Sequence, residues 1–185
     1  MGKAVIDEEG VVFHGKDERV VVRFVDTREA VVEGDWLIFG PLELELGAKQ
    51  ATKWAKAIAT PKSVLEKLGV KSGQTAVLLG EYPHEFEDDL RKKGLITTNR
   101  PTRSLPELVF LFLTSSKQLT RLPPISDTGV LWMIRGKGKT APITEAQSRA
   151  AALAAGLADV KVISFSPTHS GEKYVVPVQS RGKRG

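Results

Sequence analysis

Three short, unbroken apolar runs set the strongest limit on what this chain can fold into: Ala76-Val77-Leu78-Leu79, Leu108-Val109-Phe110-Leu111-Phe112-Leu113 and Val130-Leu131-Trp132-Met133-Ile134. A strand with one face in water alternates apolar and polar residues, whereas a strand apolar at every position is covered on both faces. Each run is far short of the roughly 18–20 residues that cross a bilayer. Polar helical stretches separate them: His84 to Lys93 after the first, and a segment capped by Ser115 or Ser116 and running towards Arg121 after the second. Strands alternating with helices predict an α/β layer structure with a mostly parallel sheet.

The same segment opens on Pro61 to Leu68, a short helix with proline in its first turn and Gly69 as its stop. It closes on an alanine-rich helix, Ala150 to Leu157, followed by strands Val160 to Phe165 and Glu172 to Val176 that a short connection joins as a hairpin. Beyond them residues 179–185, with Arg181, Lys183 and Arg184, have nothing to bury and are expected to form a flexible basic tail.

Residues 1–60 carry a different pattern. In Leu42-Glu43-Leu44-Glu45-Leu46 every second residue is apolar, which gives a strand with three leucines on one face and two glutamates in water. Val11 to Phe13, Arg19 to Val25, Glu29 to Val32 and Trp36 to Phe39 read as further strands, with turn residues at Gly15-Lys16-Asp17, Asp26-Thr27 and Gly34-Asp35. Ala48 to Ile58 places Ala51, Trp54, Ala55 and Ile58 at helical spacing. Proline disfavours a helical residue before it, so the junction falls at Thr60-Pro61. The expected organisation is a small antiparallel β-rich segment with a helix over 1–60, an α/β domain over 61–178, and the tail.

Composition closes several functions. The chain has no cysteine, and therefore no disulfide, thiolate metal site or cysteine nucleophile. His14, His84 and His169 are far apart in sequence, so no metal site is expected. The first residues carry charges where a signal peptide needs an apolar stretch, so a cytoplasmic protein without membrane attachment is expected. Residues 1–60 hold 8 basic and 11 acidic side chains, whereas residues 61–185 hold 19 basic and 11 acidic. The basic part permits a nucleotide, nucleic acid or acidic protein as partner, although such a balance also serves solubility.

Certain phrases carry a resemblance: Pro61-Lys62-Ser63-Val64-Leu65-Glu66-Lys67-Leu68-Gly69-Val70, Leu131-Trp132, Thr144-Glu145, Gly156-Leu157-Ala158-Asp159-Val160 and Ser164-Phe165-Ser166-Pro167-Thr168-His169-Ser170. Through them residues 61–178 resemble an uncharacterised bacterial family of unknown function. The order of elements from Gly69 onward is similar to the end of methyltransferase-type Rossmann domains, which implies a small, reduced, three-layer Rossmann-like domain. Some relatives carry an upstream segment leading to a phrase like Glu45-Leu46-Gly47-Ala48-Lys49, and this implies a shortened pleckstrin-homology-like sheet with a C-terminal helix over 1–60. A sheet reduced in this way is expected to pack on a neighbour or a second copy of itself.

Open α/β sheets bind ligands beyond the carboxyl ends of their strands. Gly80, Glu81, Tyr82, Thr114 and Ser115 are the positions where an adenosyl cofactor would sit. The turn has one glycine, a bulky Tyr82 and a rigid Pro83, and no acid follows the next strand to hold a ribose. Arg135, Lys137 and Lys139, after the third run, suit an anion or form a solvated basic loop. Thr168, His169, Ser170 and Lys173, with Ser166 and Glu172, crowd the presumed hairpin turn, and turn capping is the simpler account of them. Glu85, Glu87, Asp88 and Asp89 complement the positive end of a helix dipole. With no complete constellation, the expectation is a non-catalytic binding or interaction protein without a cofactor. The alternatives are an S-adenosylmethionine-dependent enzyme and an anion or nucleic-acid binder.

Overall fold

Alternation becomes burial in the amino-terminal strands: Leu42 and Leu44 are buried while Glu43 and Glu45 stay exposed. In the computed structural model, which describes residues 2–6, 10–100 and 104–182, the chain divides into two units, 1–63 and 64–185.

The first unit holds two three-stranded antiparallel sheets. One joins β1 (Lys3–Ile6), β2 (Gly10–His14) and β3 (Arg19–Arg23); the other joins β4 (Ala30–Glu33), β5 (Trp36–Phe39) and β6 (Leu42–Glu45). The β4–β5 hairpin turns through Gly34 at a φ of 58°. Asp35 accepts the backbone N–H groups of Leu46 and Gly47 on its carbonyl and that of Ala48 on its carboxylate, which ties the hairpin to the start of α1 (Ala48–Ala59). Ala51, Trp54 and Ile58 of α1 share one core with Val11, Phe39 and Leu44. The segment therefore has an interior of its own. β1 is absent from the sequence expectation because a lone four-residue edge strand is defined by its partner, here β2, more than by its own composition.

The second unit is built on a six-stranded sheet in the order β11-β12-β10-β9-β7-β8. Its strands are β7 (Thr75–Leu79), β8 (Ile96–Thr98), β9 (Leu108–Leu113), β10 (Val130–Gly136), β11 (Ala158–Ser164) and β12 (His169–Val175). The four from β8 to β10 run parallel, and β12 and β11 close the sheet as an antiparallel hairpin. Helices α2 (Val64–Leu68) and α3 (His84–Lys92) contribute to the core on one face, and α4 (Glu145–Ala154) to the core on the other. All six residues of β9 are buried, as an apolar run between two layers requires. Phe86 stands edge-on to Phe110, Phe112 and Phe165, at centroid separations of 5.2, 5.6 and 5.0 Å. This is a Rossmann-like α/β sheet.

One boundary differs from the sequence expectation, and one strand adds to it. α4 begins at Glu145, five residues before the alanine run, because Thr144 and Gln147 form a reciprocal capping box. β8 has only three residues and takes its place from parallel pairing with β7. At the start of the tail Val178–Ser180 form a 3-10 turn, the Arg181 guanidinium donates to the Val176 carbonyl, and Gly182 N–H donates to Asp127. Lys183 and Arg184 lie outside the described residues.

Candidate functional site

The chain passes from β7 through α3 to β8 on one side, and β9 then takes the other side of β7. Strand order reverses at β7 and β9, where open α/β sheets leave a crevice. Gly80 follows β7, and Thr114 and Ser115 follow β9. Gly80 has a φ of 88°, and a Cβ there would lie 2.3 Å from the Phe112 carbonyl oxygen, so a side chain has no room. The Gln118 side chain fills the polar capacity around it: its oxygen accepts from Thr114 N–H and Ser115 N–H at 2.8 and 2.9 Å, and its nitrogen donates to the Phe112 carbonyl at 2.9 Å. Ser115 Oγ accepts from Lys117 N–H. The demand for glycine at position 80 thus arises within the chain itself.

A cleft of about 440 Å³ remains beside Gly80, Glu81, Tyr82, His84 and Asn99. Tyr82 lies against Phe112 at 5.9 Å, and burial, then the Glu87 charge, raises its phenol above the ordinary value. Glu87 is engaged by Arg91 at 2.7 Å and by Thr97 at 2.8 Å. At the end of β8, where a ribose-binding acid would stand, the chain has Asn99.

The cationic loop after β10 and the hairpin turn, separate in sequence, are joined in the fold. Gly136 pairs with His169, Lys137 N–H donates to the Thr168 carbonyl at 2.8 Å, and Lys137 Nζ donates to Ser164 Oγ at 2.6 Å. Thr168 Oγ1 lies 2.9 Å from His169 Nδ1, and Ser166 Oγ accepts from His169 N–H at 3.0 Å. Ser166 therefore caps the turn, Thr168 Oγ1 meets the His169 ring, and Lys139 is exposed. His169, Ser170 and Lys173 are strand residues of β12, so Lys173 is carried away from the turn along the strand.

Arg135 is buried, and the solvated-loop reading does not hold for it. Its guanidinium pairs with Glu172 through Nε and with Glu145 at 3.1 Å. The other Glu172 oxygen accepts from Ser148 Oγ at 2.6 Å and from Tyr174 OH at 2.8 Å. Glu172 is 1% exposed and Ser148 0%. Burial first, then hydrogen bonding to Glu172 and its charge, pushes the Tyr174 phenol above its usual range. Every charge in this group has a partner, as burial demands.

No protein-family model and no curated protein matches this chain. Among solved structures it is similar to LepI in complex with SAM, at 11% identity and a TM-score of 0.38 over 62% of this chain. It is also similar to a TehB-like SAM-dependent methyltransferase from Corynebacterium glutamicum, at 8% identity and a TM-score of 0.35, over 70% of this chain and 97% of that one. The matched stretch spans 39% of LepI. At such identities no residue role passes to this chain.

Two polar features lie outside the sequence reading. Ser148 meets Glu172 across 24 residues, and only the packing of α4 on β12 brings them together. Gln118 was legible in principle, because Ser115-Lys117-Gln118 fits the Ser-x-x-Gln capping pattern that also marks Thr144 and Gln147. Among the described residues no three His, Asp or Glu side chains gather as metal ligands, and no helix is long and apolar enough to cross a membrane.

Proposed function

We propose that the 64–185 unit is a non-catalytic binding module on a degenerate Rossmann-like scaffold. The supporting observation is Gln118. Its amide engages the two backbone donors and the carbonyl at the switch point, leaving them committed within the chain. A nucleotide needs such donors for its own polar groups. The test is calorimetric titration with S-adenosylmethionine and S-adenosylhomocysteine: no saturable heat is expected, and saturable micromolar binding overturns the reading.

A second reading, an adenosyl cofactor bound beside Gly80, Glu81 and Tyr82, is favoured by the 440 Å³ cleft, a volume within the range of small-molecule sites. Methyl transfer to any acceptor, weakened on Tyr82→Ala while the urea unfolding midpoint is kept, would establish it. For the 1–63 unit, two three-stranded sheets and a C-terminal helix support reading it as a reduced pleckstrin-homology-like module.

A further inference from the structure

Alternate residues of neighbouring strands make a row across β10, β12 and β11. Trp132 stands opposite Lys173, and Lys173 stands opposite Lys161. Like charges set directly opposite in an antiparallel pair repel. Lys161 Nζ lies 5.6 Å from the centroid of the Trp132 ring and donates to the Lys67 carbonyl of α2 at 2.6 Å, contacts that hold it in place without neutralising it. Among the described residues neither Lys161 nor Lys173 forms an ion pair with a carboxylate.

The nearest acids in sequence are turned away. Glu172 faces α4 with Tyr174, and Asp159 pairs with Arg149 of α4 at 3.1 Å. The register irregularity between Asp159 and Lys161 sets these two neighbours against Tyr174 and Lys173, on opposite faces of the hairpin. Burial, then the Lys161 charge, lowers the pKa of Lys173, which fits an ammonium lacking a counter-charge. Trp132, 0% exposed, holds an indole N–H with no hydrogen-bond partner among the described residues. Two ammonium groups without a carboxylate partner among the described residues thus stand in one row with a buried indole.

We propose that the Trp132–Lys173–Lys161 row binds a phosphate-type oxyanion. Such a ligand accepts charge-assisted hydrogen bonds from both ammonium groups and removes their mutual repulsion. The row uses none of the strands that border the 440 Å³ cleft. Adenosyl binding there would overturn the functional reading above and leave this inference standing, and the converse also holds.

The experiment is an NMR titration of the full chain with inorganic phosphate, with chloride at matched ionic strength as the reference. A parallel arm uses glycerol phosphate, to separate free phosphate from a phosphoester. The expected result is saturable movement of the Trp132 indole and Lys173 ε-methylene signals with phosphate or the ester but not chloride, and a rise in the Lys173 pKa on binding. Lys173→Gln and Lys161→Gln should each weaken binding about tenfold, the loss of one charge-assisted hydrogen bond. Lys173→Arg should retain binding, and Lys92→Gln on α3 should leave it unchanged. Shifts that never saturate, that chloride reproduces, or that survive both glutamine substitutions would overturn the proposal.

Discussion

The two faces of the sheet where β10, β12 and β11 pair treat charge in opposite ways. Towards α4, β10 and β12 present Arg135, Glu172 and Tyr174, and every polar atom named there is answered by another. On the opposite face the alternate residues of the same strands, with Lys161 of β11, form a row whose cations have no carboxylate partner among the described residues. The strand period of two lets neighbouring residues face environments that share nothing. The closed network ties α4 to the sheet; the row opposite ties Lys161 to the Lys67 carbonyl of α2.

The largest break in this contrast comes from Glu172→Gln. Removing one partner leaves Arg135 buried with only the more exposed Glu145 to balance it, and the expected cost is about 3 kcal/mol, measured by urea unfolding. The triple substitution Arg135→Met, Glu172→Leu and Tyr174→Phe should recover most of that loss, because it removes the unpaired charge together with the hydroxyl that Glu172 would otherwise leave without an acceptor. Tyr174→Phe removes a single donor to Glu172 and should cost about 1 kcal/mol in the same assay.

The alkaline limb of stability sharpens the comparison by sign. The native Tyr174 phenol titrates above its ordinary 10.0, so the unfolded chain loses that proton first and the contribution to stability falls as pH rises past 10.0. Native Lys173 titrates below its ordinary 10.5, so in the window beneath 10.5 the unfolded chain holds more protons and the contribution rises with pH. Between pH 9 and 11, Tyr174→Phe should therefore flatten a downward slope and Lys173→Gln remove an upward one, as read by denaturant unfolding across about that range. The smallest effect is at neutral pH, where Lys173→Gln should raise stability by a few tenths of a kcal/mol through relief of the Lys161 repulsion, measurable as a small shift in Tm.

Much of the architecture could be read from local chemistry. The runs at Ala76, Leu108 and Val130 became adjacent parallel strands because continuous apolarity needs cover on both faces. Ser115 served as a cap because a hydroxyl before a helical turn satisfies an orphan N–H. Less of the site was legible. Gly80 stands among the positions where an adenosyl cofactor would sit, yet the backbone that its missing side chain accommodates is Phe112 of its own chain. Arg135 read with Lys137 and Lys139 as one basic loop, but parity along β10 sends it into the α4 layer while the loop begins two residues later.

The sequence by itself determined the two-part organisation of apolar pattern, the parallel character of the central strands and the hairpin that ends them, because periodicity and turn chemistry act over a few residues. Only the tertiary structure decided which charges are paired. Glu172 could meet Arg135, 37 residues away, and Ser148, 24 residues away, only after strand register and helix docking were set. The shift in register between Asp159 and Lys161 likewise separated an acid from a base two positions apart. Pairing of charge is a property of faces and distances, and a linear pattern carries neither until the sheet has formed.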